Sequence, residues 1–127
     1  NSDYPKTMSM PNEYGFGGVE QEMVISAATV NESFIKKGVG SFYGISLSNT
    51  AATTAFVRIF DKSSIPVSAA DTAIATYCIP ANSASNFFLP IPVGLKNGLG
   101  INITGAATIG DATVIGLNQV VGSVFWK

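Results

Sequence analysis

Residues 79–105 read IPANSASNFFLPIPVGLKNGLGINITG, a stretch of short apolar runs and turns that carries a single charge, Lys96. Its turn segments, PANSAS and GLKNG, contain proline, which fixes φ, and asparagine, serine and glycine, which favour turns. The runs that follow these turns, NFFLPIP and LGINIT, have the length of β-strands and are rich in β-branched and aromatic residues. The stretch therefore predicts two strands joined by a turn, with Ile101 and Ile103 of the second strand facing the core.

The first of these strands contains two prolines, which restrict its place in a sheet. Pro90 and Pro92 have no amide hydrogen to donate, so the strand is expected at a sheet edge or at a strand end. The alternation of Phe87, Leu89 and Ile91 predicts that these three side chains share one face. One side of the strand remains available for pairing with a neighbour.

Short apolar runs with strand character continue on both sides of this stretch. In SFYGISLSN, residues 41–49, Tyr43, Ile45 and Leu47 alternate with glycine and serine, which predicts a half-buried strand. Apolar residues occupy both faces of AFVRIFDK, which predicts a central strand or one covered by a neighbour, and both faces of NQVVGSVFW, which predicts a central strand. About eight short strands at intervals of roughly 10 residues, without helical periodicity, predict an all-β fold, a single jelly-roll-like β-sandwich. The remaining strand candidates are EMVISAATV (22–30), SFIKKG (33–38) and AIATYCIP (73–80).

The first 21 residues differ in character from the rest of the chain. They contain Pro5, Pro11 and three glycines among aromatic residues and methionines, and no period of 2 or 3.6 persists in them. We expect residues 1–21 to form an extended N-terminal arm and residues 22–127 to form the β-sandwich domain. The alternative is a terminus without a fixed binding partner. The apolar arm side chains expected to bind a partner are Tyr4, Met8, Met10, Tyr14 and Phe16.

The composition limits the classes of function. Hydrophobic residues make up 46% of the 127 residues and charged residues 12%, against about 25% charged residues in an ordinary globular chain. No apolar run approaches the roughly 18–20 residues that span a bilayer, so no membrane insertion is expected. The net charge of −1 provides no basic patch, so nucleic acid is not an expected partner. The low charge favours a surface covered by copies of the chain or by a partner.

The residue types that catalysis and metal binding require are scarce. The chain has no histidine, which removes the Ser–His–Asp triad and the usual Cys/His zinc site. A pair of carboxylates can act alone, as in glycosidases, and Asp61, Asp71 and Asp111 are the candidates. Asp61 and Asp111 lie where predicted strands meet turns, a position typical of Asx-turn residues. We therefore expect no enzymatic activity, no metal, no cofactor and no small-molecule substrate.

The chain contains one cysteine, Cys78, which excludes an internal disulfide. It lies in the apolar segment TAIATYCIP. This setting predicts a buried, small hydrophobic side chain and not a reactive thiol.

Four segments of the body follow a recurring order of turns and apolar strands. They are RIFDK (58–62) at a strand end, the IPA turn (79–81), the return GLKNGLGINIT (94–104) and the final strand VVGSVFW (120–126). This order resembles that of the small β-sandwich virion structural proteins of tailed bacteriophages, over about residues 41–126. The resemblance implies a non-enzymatic capsid decoration (cement) protein, commonly a homotrimer on the outside of the head. It implies the major capsid protein as the partner and the capsid surface of the virion as the location.

Three aromatic residues, Phe87, Phe88 and Trp126, are the candidates for subunit contacts in such an assembly. The alternative function is a carbohydrate-binding module or an adhesin or fibre domain, which would share the sandwich and also lack acid–base residues. It predicts at least two exposed aromatic rings on one face beside polar amides. An enzyme that uses only carboxylates is a third hypothesis and predicts two acids about 5–9.5 Å apart in a cleft.

Overall fold

The computed structural model describes residues 18–127, and every regular element in this part of the chain is a β-strand. The all-β prediction is therefore confirmed. Most of the predicted arm, residues 1–17, lies outside the described residues. The strands are Glu20–Ile25 (β1), Ser33–Lys37 (β2), Gly40–Asn49 (β3), Ala55–Phe60 (β4), Ala75–Ile79 (β5), Ala84–Leu95 (β6), Gly98–Thr104 (β7) and Val120–Trp126 (β8).

The strands form two four-stranded antiparallel sheets. Sheet A has the order β1-β8-β3-β6, and sheet B has the order β2-β7-β4-β5. Every connection except β4–β5 crosses from one sheet to the other. The proline-containing strand β6 is an edge strand, while β4 and β8 are central strands, as their sequences predicted.

One hydrophobic core lies between the two sheets. Leu47 and Val124 of sheet A and Val57 and Ile103 of sheet B are fully buried in the same cluster. Because side chains of both sheets meet in this cluster, the sheets pack face to face in a β-sandwich-like architecture. Ile101 and Ile103 of β7 belong to this core cluster, so the inward positions predicted in LGINIT are confirmed.

The strand predicted for residues 22–30 ends earlier, at Ile25. The physical reason is Asn31, which adopts a left-handed backbone conformation with φ of 51°. Its side chain accepts a hydrogen bond from the Ala27 amide at 2.8 Å and donates one to the Ala27 carbonyl at 3.0 Å. An asparagine bonded to the backbone in this way closes a turn and ends the strand.

A β-bulge in β3 changes which of its side chains face the core. The pairing of β3 with both neighbours shifts between Phe42 and Gly44. Phe42 is consequently buried, together with Ile45 and Leu47, whereas Tyr43 was the residue predicted to share their face. An extra residue at a bulge reverses the alternation on one side of it, and simple period-2 reasoning does not detect this.

The same irregularity corrects the prediction for Ile91. In β6, Val93 pairs with Phe42 and Phe88 pairs with Gly44, so residues 89–92 lie opposite a single residue of β3. The prediction that Ile91 shares a face with Phe87 and Leu89 is wrong, because those two side chains pack against the core whereas Ile91 is 83% exposed.

The prediction that Cys78 is buried is also wrong, because the thiol is exposed. The neighbouring residues Tyr77 and Ile79 turn toward the core. Since successive side chains of a strand point to opposite faces, Cys78 lies on the outer side of β5. Its apolar surroundings in the sequence did not reveal this.

Candidate interaction surface

The chain itself covers the middle of the outer face of sheet B, over β7 and β4. The β4–β5 connection, residues 61–74, places Pro66 so close to Gly100 that a Cβ at Gly100 would lie 2.8 Å from the proline ring. Ser68 of the same connection accepts a hydrogen bond from the Asn102 side chain at 2.9 Å and donates one to Glu32 at 2.7 Å. These contacts bury Asn102 completely, although it points away from the core.

Arg58 fastens the second covering segment, the β7–β8 connection formed by residues 105–119. Its side chain projects from β4 on the outer side of sheet B and is only 3% exposed. The guanidinium donates hydrogen bonds to the Thr104 hydroxyl and to the carbonyls of Ala106, at 2.5 Å, and Thr108, at 2.9 Å. A buried cation requires such acceptors, because the cost of removing it from water is high. Arg58 therefore holds this loop against the sheet.

The outer face of sheet A has no comparable cover among residues 18–127. Met23 and Ile25 of β1 and Phe88 of β6 are 73%, 57% and 55% exposed, which is unusual for large apolar side chains on one sheet face. None of the side chains that point outward from this sheet is charged. We call this surface the open face; it consists of Gln21, Met23 and Ile25 (β1), Val121, Ser123 and Phe125 (β8), Gly44, Ser46 and Ser48 (β3), and Ala84, Asn86 and Phe88 (β6).

An aromatic cluster lies at one end of the open face. The Phe88 ring centroid is 5.6 Å from that of Tyr43 and 5.6 Å from that of Phe125. Gly44 of β3 lies between Phe88 and Phe125 in the sheet, and the absence of a side chain there lets the two rings approach each other. Aromatic rings in such edge and tilted arrangements still present exposed area to further rings or apolar chains.

The three aromatic residues predicted to make subunit contacts do not lie together. Phe88 is exposed on the open face, but Phe87 points inward, with its ring centroid 4.8 Å from that of Tyr77. Trp126 is half-buried against the core, and the Lys36 ammonium lies 6.0 Å from the centroid of its ring. The indole nitrogen of Trp126 is buried without a hydrogen-bond acceptor. The five arm residues of the prediction, Tyr4, Met8, Met10, Tyr14 and Phe16, lie outside the described residues.

Asp61 closes the turn between β6 and β7. Its carboxylate accepts backbone hydrogen bonds from Lys96 at 3.1 Å, from Asn97 at 2.8 Å and from Gly98 at 3.3 Å. Partial burial raises the pKa of Asp61, but these three amide donors outweigh it and lower the pKa below the usual value of 3.8.

The other two candidate carboxylates are also bound within turns. Lys62 donates to Asp71 at 2.5 Å and is the main reason that the Asp71 pKa is lowered. Burial raises the pKa of Asp111, but hydrogen bonds from the Thr113 hydroxyl at 2.7 Å and from nearby amides lower it overall. A general acid needs a raised pKa, so these three environments favour a structural role.

The lowered carboxylate pKa values predict that the protein loses stability in acid. A group whose pKa is lower in the folded state stabilises the fold above its unfolded pKa of about 4, and this contribution disappears as the pH falls through the folded value. We expect the urea midpoint to fall steeply below about pH 4. In Asp61→Asn the urea midpoint should fall less, because this variant lacks one of the carboxylates whose protonation is coupled to unfolding. Urea unfolding between pH 7 and pH 2.5 measures both curves, and parallel curves would refute the assignment to Asp61.

Several kinds of site do not occur in the part of the chain that the structure describes. Within residues 18–127 no group of three or more His, Cys, Asp or Glu side chains could hold a metal ion. No helix there is long and apolar enough to cross a membrane. A cavity of about 280 Å³ lies under the β4–β5 connection, where Arg58, Asp71 and Thr76 line it together with Ile74 and Ile109.

The open face was not predicted as a unit, although one signal for it exists in the sequence. The strand VVGSVFW has apolar residues on both faces, which predicted a central strand and is typical of a strand covered on both sides. The structure covers only its inner side within the described residues.

Comparisons of the chain with protein-family models, with curated proteins and with solved structures returned no match.

Proposed function

We propose that this protein is a non-enzymatic structural protein of a virion, a capsid decoration protein that binds the outside of a phage head as a homotrimer. The observation that carries the proposal is the uncharged open face. A structural protein buries such a face against other subunits, whereas catalysis and ion binding need charged groups that converge. The candidate carboxylates Asp61, Asp71 and Asp111 instead each close a separate turn.

The strand pairing supports the finer assignment of the fold as a jelly roll. β1 pairs with β8, β2 with β7, β3 with β6 and β4 with β5. This is the pattern of two antiparallel half-chains that are laid along each other and then wrapped into two sheets. Jelly rolls of this kind form viral capsid domains and lectin domains. Because one fold serves several functions, the choice between them depends on the surface.

A decoration protein depends on many weak contacts acting together. A trimer that engages several capsid subunits at once gains avidity of about 10²–10⁴ over one contact. Because residues 20 and 21 belong to β1, the part of the expected arm that could reach the capsid or a neighbouring subunit is residues 1–17. The apolar side chains of the arm are suited to bind in a groove or along a strand edge.

The proposal is tested by removing residues 1–17, which leaves β1 intact. We expect a folded β-sheet body by circular dichroism whose affinity for undecorated heads of the encoding phage is at least about 100-fold lower, because avidity is lost. The matched control is a chain that lacks only residues 1–3 and keeps all five apolar arm residues. Co-sedimentation with heads measures the affinity, and equal binding by both truncated chains contradicts the role of the arm.

A carbohydrate-binding function is the second candidate, favoured by the aromatic cluster. Phe88 is exposed beside Tyr43, and the Asn86 amide oxygen accepts a hydrogen bond from the Ser46 hydroxyl at 2.7 Å on the same face. Exposed rings beside amides can stack on sugars. The decoration function predicts no binding of the isolated protein to a glycan array. A positive array that Phe88→Ser abolishes would replace the decoration proposal by sugar recognition.

A further inference from the structure

The two sheets differ in how their outer faces are completed. On sheet B, Arg58 and Ser68 hold two long connections over the strands. On sheet A, the described residues 18–127 leave Met23, Ile25 and Phe88 in solvent. Exposure of an apolar face of this kind to water is unfavourable, so we expect another segment or subunit to cover it.

We propose that residues 1–17 of one copy bind the open face of a neighbouring copy, and that this exchange of arms builds the homotrimer. The inference rests on the proposed function in one respect, which is that the protein acts as an assembly of copies. It names the surface and the segment that form the subunit contact, which the proposed function leaves open.

The position and composition of this segment suit the open face. It joins the body at Gly18, whose carbonyl accepts a hydrogen bond from the Lys127 ammonium at 2.8 Å, directly before β1 of sheet A. It carries three charges, Asp3, Lys6 and Glu13, and five large apolar residues. The open face carries no charge, so apolar contacts, including ring contacts with the cluster around Phe88, are the chemistry available to it.

The length of the segment favours a neighbouring copy over its own body. Seventeen extended residues span about 56 Å. A four-stranded sheet is only about 14 Å wide, so a few residues would suffice to cross the face of the same subunit. A body of this size has a radius of gyration of about 13 Å, so a fully extended segment of about 56 Å would be long enough to reach the next subunit. Head-to-tail exchange fills every open face once the ring closes.

Disulfide trapping tests which chain occupies the face. In a Cys78→Ser background, one chain carries Gly15→Cys and the other carries Asn86→Cys, which is exposed beside Phe88 on the open face. Mixed and oxidised, the two chains are expected to give a covalent heterodimer. The matched control joins Gly15→Cys to the native Cys78, which lies on the outer side of β5, and should give none. A third chain carries both cysteines. A cross-link that forms only within this chain, or no cross-link between the two single-cysteine chains, overturns the proposal.

The oligomeric state provides an independent measurement. Light scattering at micromolar concentration should find a trimer for the full chain and a monomer for the chain without residues 1–17. Phe88→Ser should raise the dissociation constant at least about tenfold. The matched control, Ile91→Ser, also removes an exposed apolar side chain of β6 but lies outside the open face, and it should leave the trimer intact.

Protection of Met23 reports on the face directly. Met23 is the methionine of the open face, and peroxide oxidation followed by peptide mass spectrometry should be several-fold faster in the truncated chain. A truncated chain that remains trimeric, with Met23 oxidised at the full-length rate, rejects arm exchange. Head binding is measured separately, so a trimer that fails to bind heads contradicts the proposed function and leaves arm exchange standing.

Discussion

Gly122→Ala is expected to lower the free energy of unfolding by about 3 kcal/mol or more. Gly122 lies in the central strand β8 with φ of 153°, a backbone conformation that L-residues rarely adopt. An added Cβ would lie 1.9 Å from the Ser46 carbonyl oxygen and 3.0 Å from the Leu47 Cα, and both contacts are with backbone. Since the pairing of β8 with β3 fixes this backbone, no side-chain rotation relieves the overlap. Urea unfolding monitored by circular dichroism measures the change.

Gly94→Ala is the matched control for this prediction. Gly94 lies in the edge strand β6, and a Cβ added there would meet no atom within 4 Å. We expect a change within about 0.5 kcal/mol, the usual range for surface substitutions. If both variants lost the same stability, close packing of β8 on β3 would not be the cause.

Arg58→Met is expected to cost about 2–4 kcal/mol. The substitution keeps an apolar stem of similar length but removes the donors to Thr104, Ala106 and Thr108. The two carbonyls are then left partly buried without these donors, and the β7–β8 connection loses its attachment to sheet B. Limited proteolysis should cut within residues 105–119 more rapidly than in the unchanged protein.

Two control variants separate the geometry of Arg58 from its charge. Lys96→Met removes an exposed cation in the β6–β7 turn and should change stability by less than about 0.5 kcal/mol. Arg58→Lys keeps the charge, but an ammonium on a flexible stem cannot reproduce the planar guanidinium fork. We therefore expect it to lose more stability than Lys96→Met and less than Arg58→Met. Wild-type stability in Arg58→Met would show that the loop is held by other contacts.

The sequence predicted the features of the fold that depend on local chemistry. Pro90 and Pro92 predicted an edge strand because a missing amide hydrogen has the same consequence in any sheet. The two apolar faces of AFVRIF predicted a central strand for a similarly local reason. The prediction for Ile91 was wrong because residues 89–92 of β6 lie opposite the single residue Tyr43 of β3. This irregularity is a property of the pairing between the two strands, so the sequence of either strand alone does not reveal it.

The candidate surface was less accessible to sequence reasoning than the fold. Alternation in β1 and β8 indicates which side chains point outward, but not whether other parts of the chain cover them. That depends on contacts such as the one between Arg58 and Thr108, which are 50 positions apart. Phe87 and Phe88 illustrate the problem, because adjacent phenylalanines look alike in the sequence and point to opposite sides of β6.

The pairing of β1 with β8 has a consequence for the order in which the protein can fold. β8 lies between β1 and β3, so sheet A has a gap at its centre until residues 120–126 have been synthesised. A nascent chain at that stage exposes the edges of two strands, which are sites of mispairing with other chains. Non-local pairing of this kind also slows folding, because the ends of a long loop must meet first. On the ribosome the protein should therefore acquire its stable structure late, in one step, after the last strand has emerged.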